Sequence, residues 1–477
     1  MDYINTRQAL VDAATKHFQP NLSKCEDFDK FIDYVHREMD EIKTDVVKEC
    51  IEIFDNELRE AVPSDWTIKK RISRSVTCIF GKVKFKRTLF IDQYGRNRYL
   101  CDELLGIPKK ARFSSDAFLW LIKTVAIMSY GKTAKAFYDM SGCKISKMAI
   151  WYMVQKEAEL INTYGYRDNF YKISQESICV ESDGIFVALQ SPKRRKETIN
   201  RFLYEQQHTK KSFEIKCGCI YAGKVKDKQR TKRINVDLVA GVESPYKFWK
   251  NINARINAEY RIEDLKHIYY GSDAGGWCLQ QQLDMLPNYD IEVYQTIDRY
   301  HVMQAVWKAF PEGKSQDWLV SLILRRKPEA FIETLDKMLP KIHGKKKKKV
   351  RALRKYISNN IDLVKSDFNL GTMEATNAYV WAKRMKHIGG AWSVRGGSAM
   401  AIILAQIHSK RKLIPPLKNV FFTKQETKQK EKIQNKISCE VANQTRVGCG
   451  YEPDRGHFAK ETKNRIYIPQ EYLPKSI

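Results

Sequence analysis

ICVESDGIFVAL, residues 178–189, is an apolar, strand-like run with an acid near its middle. Val, Ile and Phe suit a pleated strand, whereas Asp is depleted there, and a buried carboxylate is costly unless it is paired or metal-bound. Asp183 is therefore out of place as a packing residue. A second run, HIYYGSD (267–273), ends in Asp273, and a helix-like stretch, GTMEATNAYVWAKRMKH (371–387), opens with Glu374. Around them the pattern is strand, strand, strand, helix, strand, helix, strand. FEIKCGCIYAGKV (213–225) and RINVDLVAGV (233–242) follow the first run. An amphipathic helix lies near 246–260, a short helix starts at Leu279, and IEVYQTIDRY (291–300) is the last strand. This predicts an α+β or α/β fold, a mixed sheet with helices on its faces.

The acids come in a fixed order: one inside a first strand, one at the end of a fourth, one on a late helix. Carboxylates at neighbouring sheet positions, with a third delivered by a helix, can hold two Mg²⁺ or Mn²⁺ ions about 3.5–4 Å apart. Taken singly the residues are weak signals. Asp183 with Gly184, or Asp273 before Ala-Gly-Gly, could be turn chemistry, and Glu374 could be a solvated helix residue.

Charge points to the same chemistry. Lys and Arg number 84 against 56 Asp and Glu, a formal net charge of +28. Such an excess favours nucleic acid first and anionic membrane second. It is unevenly spread: residues 1–60 hold 8 basic and 15 acidic side chains, residues 61–90 hold 8 and 1, residues 301–360 hold 15 and 5, and residues 405–477 hold 15 and 7. AFLWLIKTVAIM (117–128) is interrupted by Lys123, and AMAIILAQI (399–407) is too short to span a bilayer. With no signal peptide at the start and eleven scattered cysteines, a cytoplasmic protein with reduced thiols is expected.

Residues 25–60 read as a helix with an apolar seam (Phe28, Ile32, Val35, Met39, Ile42, Val46) that slips to Val47, Ile51, Phe54 and Leu58. It could be a dimer contact or an amphipathic helix docked on its own chain. VTCIFGKVKFKRTLFI (76–91) alternates apolar and basic residues, a small hairpin with Lys82, Lys84 and Lys86 on one face. GKTAKAFYDMSGCKISKMAIWYMVQK (131–156) resembles a helix-turn-helix, turning at Ser141-Gly142. Its basic side chains Lys132, Lys135, Lys144 and Lys147 are candidate DNA contacts, as are Arg384, Lys386 and Arg395 further on. Residues 302–365 are predicted to be helical, with Lys345–Lys349 as a loop between helices. Trp307, Trp318 and Trp392 are taken as core residues that could otherwise stack on an unpaired base. In the basic tail, Cys439, Cys449 and His457 offer three zinc donors, one short of the usual four.

The ordered set SDGIFV, YGSDAGGW, DRYH and MEATNAYVWAKRMKHIGGAWSVRGG resembles the aspartate–aspartate–glutamate transposases, and most closely the Mutator-like bacterial insertion-sequence transposases of the ISLre type. The resemblance covers most of residues 76–405. It implies a ribonuclease-H-like core with an all-α insertion, preceded by a helical N-terminal region with a small β-hairpin. It implies metal-dependent 3′-end cleavage and strand transfer, with Asp183, Asp273 and Glu374 as catalytic metal ligands. Asp298 and His301, which match the family's D-x-x-H element, would support the site. Double-stranded DNA would be the partner, and a homo-oligomer the acting form. A ribonuclease-H-like nuclease without strand transfer, or a domesticated DNA-binding protein, is the alternative. The chain departs from the family at Trp381, where a basic residue commonly stands seven places after the glutamate. The expected division is a helical, oligomerising segment at 1–65 and a DNA-binding region at 66–170. A catalytic core follows at 171–301 and 366–408, around the insertion at 302–365, with a basic tail at 409–477.

Overall fold

The computed structural model describes residues 27–164, 172–190, 212–227, 230–273, 277–278, 291–388 and 390–413. The helix expected from Leu279, the possible zinc donors and almost all of the tail lie outside these residues. The chain divides into two compact units. One takes in the described residues of Met1–Val46, Ser75–Val83 and Pro108–Asn419, the other those of Val47–Arg74, Lys84–Ile107 and Val420–Ile477.

The first helix, α1 (Phe28–Ala61), is as long as its seam suggested. Its two halves differ. Within the smaller unit, Leu58 is fully buried with Phe90, Leu100 and Cys101, and Ile51 and Phe54 pack beside them. In the first half Phe28 is 72% exposed, and Ile32 and Val46 are exposed too. The hairpin strands β1 (Thr67–Cys78) and β2 (Gly81–Ile91) are joined by a short β3 (Asn97–Arg98) in a three-stranded sheet. As expected from the alternation, Val83 and Phe85 are buried while Lys82, Lys84 and Lys86 are exposed. A short helix, α2 (Leu100–Leu104), supplies Asp102, which is buried and paired with both Arg74 and Arg87.

In the larger unit, α3 (Ser115–Ile127), α4 (Tyr130–Ser141) and α5 (Lys147–Tyr164) follow one another. Ser129 caps α4 through Lys132 N, and Gly142 ends it in the left-handed region at φ 66°, where a side chain would be strained. Phe137, Ile150 and Val154 are fully buried, so the helix-turn-helix packing holds. These helices are not a separate region, however. Phe118, Leu121, Ile150 and Val154 lie in one apolar core with Ile185, Val187 and Ile215 of the large sheet and Ile403 of the last helix. Described residues on both sides of the boundary expected at 170 share that core.

The large sheet comprises β4 (Ser177–Ala188), β5 (Ser212–Tyr221), β8 (Asp237–Gly241), β9 (His267–Ser272) and β10 (Glu292–Ile297). A separate hairpin, β6 (Gly223–Asp227) with β7 (Arg230–Ile234), sits between β5 and β8 in the chain. The sheet order is β8-β5-β4-β9-β10. β5 is antiparallel to β4 and β8, whereas β9 runs parallel to β4 and β10 parallel to β9. The period of two separates the faces of β4. Ile185 and Val187 join the core above, and Ile178 and Val180 pack below against α6 (Pro245–Glu259) with Phe248, Trp249 and Ile252. Each fully buried aromatic or branched side chain is worth about 1.5–3 kcal/mol. Gly218 of β5 makes the lower contact close: a Cβ there would come within 2.7 Å of Ile252 Cδ1.

After β10 come α7 (Arg299–Ala309), α8 (Lys314–Leu324), α9 (Pro328–Met338), α10 (Gly344–Asn359) and α11 (Ile361–Lys365). They pack into an all-α cluster around Val306, Leu319, Phe331, Leu353 and Ile357. The run Lys345–Lys349 is not a loop but the first turns of α10. Lysine is a good helix former, and Val350, Leu353 and Ile357 behind it bury one side of the helix. Trp307 and Trp318 are 39% and 49% exposed rather than core residues. α12 (Met373–Thr376) runs directly into a π-helical stretch, Asn377–Ile388, and α13 (Val394–His408) closes the described chain.

Candidate functional site

β4 carries Asp183 into the interior, where it is 6% exposed. The parallel register pairs Glu181 with Gly271, so two residues further along Asp183 stands beside Asp273, just past the end of β9. Asp183 Oδ1 accepts from its neighbour's amide, Gly184 N, at 2.7 Å. Oδ2 accepts from Asn377 Nδ2 at 2.7 Å and lies 3.9 Å from His301 Nε2. Ligand atoms of Asp183, His301 and Glu374 lie within 4.8 Å of one another. Burial pushes the Asp183 carboxyl up to about 6. His301 opposes the rise, and the carboxylates of Asp273 and Glu374 add to it. Asp183 and Glu374 thus share one small volume with His301, while Asp273 lies outside that group yet close enough to raise the Asp183 carboxyl, a crowding that a divalent cation would relieve. The oxygen donors suit Mg²⁺ or Mn²⁺, and the imidazole among them suits Mn²⁺ better than Mg²⁺.

Local chemistry explains how His301 arrives. Asp298 is the N-cap of α7, its carboxylate accepting from Tyr300 N at 2.9 Å, and its own N–H donates to Ser272 O at 2.8 Å. The helix therefore starts beside the end of β9, and His301 falls in its first turn, aimed at Asp183. The D-x-x-H spacing reads as a cap plus an inward histidine. Asp298 fixes the start of that helix. Asp273 is held from the helical cluster as well, because Tyr356 of α10 donates its hydroxyl to Asp273 O at 3.2 Å.

Two site residues escaped the sequence reading. Asn377, three places after Glu374, is 6% exposed and ties the late helix to Asp183. Glu181, two residues before Asp183 on the same strand face, is 2% exposed. Its carboxylate accepts from Thr372 N at 2.8 Å and Tyr221 Oη at 2.8 Å, and also from Thr372 Oγ1. Lys224 Nζ donates to Leu370 O, and Arg233 Nη1 to Thr372 Oγ1 at 3.2 Å. The segment that leads into Glu374 is thus bound to the sheet immediately before α12 begins. The signals were present in the quoted stretch, an acid at i−2 on one strand face and an amide at i+3 from Glu374.

The expected DNA contacts divide. Lys132, Lys135, Lys144, Lys147 and Lys386 are exposed. Arg395 is exposed and pairs with Glu159 at 3.1 Å. Arg384 is different: it is 3% exposed, its Nε donates to Val125 O at 2.9 Å, and its guanidinium lies over Trp392. It is a packing residue, and the phosphate contact expected of it does not fit. Trp381, at the place of the family's basic residue, is fully buried with Nε1 donating to Ala401 O. The Gly396-Gly397 pair of α13 has a steric role. A Cβ at Gly397 would come within 2.6 Å of the Phe213 ring.

A family model described as an uncharacterised protein family, UPF0236, matches residues 24–412. The chain is 22% identical over 380 residues to the UPF0236 protein in vanSb 3′ region of Streptococcus gallolyticus, covering 77% of this chain and 80% of that one. It is also 22% identical over 412 residues to a UPF0236 protein of Caldanaerobacter subterraneus subsp. tengcongensis, covering 84% and 82%. A further UPF0236 protein of that strain, whose name joins four locus designations, is 23% identical over 347 residues, covering 70% and 68%. No described helix is long and apolar enough to cross a membrane.

Proposed function

The chain belongs to the uncharacterised family UPF0236, and from that premise we propose that it is a DNA transposase with a ribonuclease-H-like core. One observation carries the reading. Asp183 on the first strand of the sheet and Glu374 on a late helix converge with His301, and Asp273 at the end of the fourth strand stands alongside. The strand order supports it. Numbered within the sheet it is 3-2-1-4-5, with the first three strands antiparallel and the last two parallel to the first. A formal charge of +28 suits a polyanionic substrate. A relative whose name joins four locus designations fits a gene that multiplies within a genome.

Asp183, Asp273 and Glu374 would hold Mg²⁺ or Mn²⁺, two ions in this reading. Bound there, such ions lower the pKa of an attacking water or 3′-hydroxyl and offset charge that builds on the phosphate oxygens. The chain's own groups do the positioning. Asn377 and the Gly184 amide fix both oxygens of Asp183, so its carboxylate presents one face to the site. Glu181 holds the approach to Glu374. His301 lies within reach of Asp183 and of a phosphate seated beside it.

Hydrolysis at the 3′ end of the element and attack by the freed hydroxyl on target DNA both displace an oxygen at phosphorus, so one site serves both. The presence of all three acids favours catalysis over a DNA-binding protein that has lost it. Purified protein with Mg²⁺ or Mn²⁺ should nick duplexes carrying the element's ends and join the 3′ ends to a target plasmid. Nicking without joining would indicate a nuclease on the same core. Normal nicking by Asp183→Asn, Asp273→Asn and Glu374→Gln would remove the assignment.

A further inference from the structure

α10 combines two features that are separate in the sequence. Its C-terminal part touches the candidate site through Tyr356, whose hydroxyl donates to Asp273 O at 3.2 Å. Its N-terminal part is a run of five lysines, and the helix as a whole carries eight basic side chains and no acid. Lysines in the first turn oppose the helix dipole, and neighbours four apart repel each other. Among the described residues no ion pair joins a carboxylate to Lys345, Lys348 or Lys349, whereas Arg354 of the same helix pairs with Asp336. The helix N-terminus and the ammonium groups alike favour an anion.

The helical repeat gives this charge a direction. Val350, Leu353 and Ile357 are buried and mark the side facing the insertion's core. Lys349 and Lys345 precede Tyr356 by seven and eleven residues, which places them within about 20° of it around the axis. At 1.5 Å per residue they stand about 10 and 16 Å from it along the helix. Lys347 and Arg351 point to the opposite side by the same repeat.

We propose that the Tyr356–Lys349–Lys345 face of α10 is a phosphate track that leads away from Asp273. It would bind the backbone of the DNA strand whose scissile phosphate lies at the acids. This rests on the transposase reading and adds where the flanking strand runs. At about 3.4 Å per nucleotide, Lys349 and Lys345 reach phosphates about three and five nucleotides from the cut. The insertion then both holds Asp273 and grips the substrate.

The test is binding of the full-length protein, without divalent metal, to a fluorescein-labelled duplex of about 30 base pairs over a salt series. The double variant Lys345→Ala/Lys349→Ala should lower the slope of log affinity against log salt by about two, with Lys347→Ala/Arg351→Ala changing it by less than half as much. With Mg²⁺ added, the first pair should raise KM for nicking about tenfold and leave kcat within about twofold. An unchanged slope, or equal losses from both pairs, overturns the track, as does a loss confined to anionic phosphatidylserine vesicles. A reduced slope in a protein that never nicks DNA would keep the track and remove the transposase reading instead.

Discussion

Asp183 and Asp237 are both buried aspartates on strands of the same sheet, 6% and 4% exposed, yet their surroundings are opposite. Asp237, on β8, accepts from Arg255 at 2.7 Å and from Arg411 at 3.0 and 2.8 Å. Two guanidinium groups compensate it, and it is complete as a structural ion pair. Asp183, on β4, has an amide, an asparagine and a histidine 3.9 Å away, with two further carboxylates close enough to raise its pKa. The fold supplies arginine where a buried acid only has to be stable. At Asp183 it gathers like charges that His301 offsets only in part. That contrast, more than the presence of an acid in a strand, is what the proposed metal site rests on.

The largest expected effect separates the two residues by activity. Asp183→Asn should lower metal-dependent nicking by roughly three orders of magnitude or more, because the acids act as a unit. DNA binding, read by fluorescence anisotropy, should be retained. An active Asp183→Asn protein would end the comparison, since the uncompensated site would then be only a packing fault.

Stability should separate them next, and with opposite signs. Asp237→Asn removes the carboxylate that the buried Arg255 and the half-buried Arg411 share, though Arg411 keeps Glu259, and costs about 3 kcal/mol. Urea unfolding would read this as a lower midpoint, and an unchanged midpoint would show that Asp237 is not a structural pair. Asp183→Asn removes a charge that burial disfavours and keeps an oxygen for Asn377 to bond. Its carboxyl is raised from 3.8 to about 6, so the folded protein binds the proton more tightly than the unfolded chain. The ionised form therefore costs about 2–3 kcal/mol of stability above pH 6, and the cost fades as the pH falls toward 4. The metal-free variant should melt a few degrees above the parent at pH 8, with the gap closing near pH 4. Adding Mn²⁺ should stabilise the parent and not the variant. A variant less stable than the parent at pH 8 would mean that Asp183 is compensated after all.

How much of this was legible follows from which physical signal each residue leaves. The strands were readable because Val, Ile, Phe and Tyr alternate along them, and the three acids because they break that alternation or open a helix. The faces of the late helix were not readable. A wheel drawn at 3.6 residues per turn sets Arg384 about 80° around from Glu374, but Asn377–Ile388 winds as a π-helix, whose wider turn carries Arg384 into the core against Val125 and Trp392. Lys345–Lys349 looked like a loop because a block of like charge dominates it, while the burial of Val350, Leu353 and Ile357 that makes it helical depends on α7–α9. The core that α3–α5 share with the sheet was unreadable for a similar reason. Which face of α3–α5 meets the sheet is a long-range fact, and local composition does not carry it.

The smallest effect concerns Glu181, which resembles Asp183 in burial and Asp237 in being satisfied. It has no arginine; its partners are Thr372 N, Thr372 Oγ1 and Tyr221 Oη. These bonds fix the residues just before Glu374, so Glu181 is a positioning residue rather than a metal ligand in the proposed reaction. Glu181→Gln keeps one acceptor for Thr372 N–H and turns the other into a donor toward the Tyr221 and Thr372 hydroxyls, which must then reorient. The approach to α12 should loosen while the three acids stay in place. Metal affinity, read by titrating Mn²⁺ against thermal stability, should fall about tenfold, the usual scale for outer-sphere partners of a metal site. Nicking should recover at saturating Mn²⁺, which a ligand's loss would not allow. If activity stays low at any metal concentration, Glu181 belongs with Asp183 as a direct participant; if affinity does not change, the bond to Thr372 holds the fold and not the site.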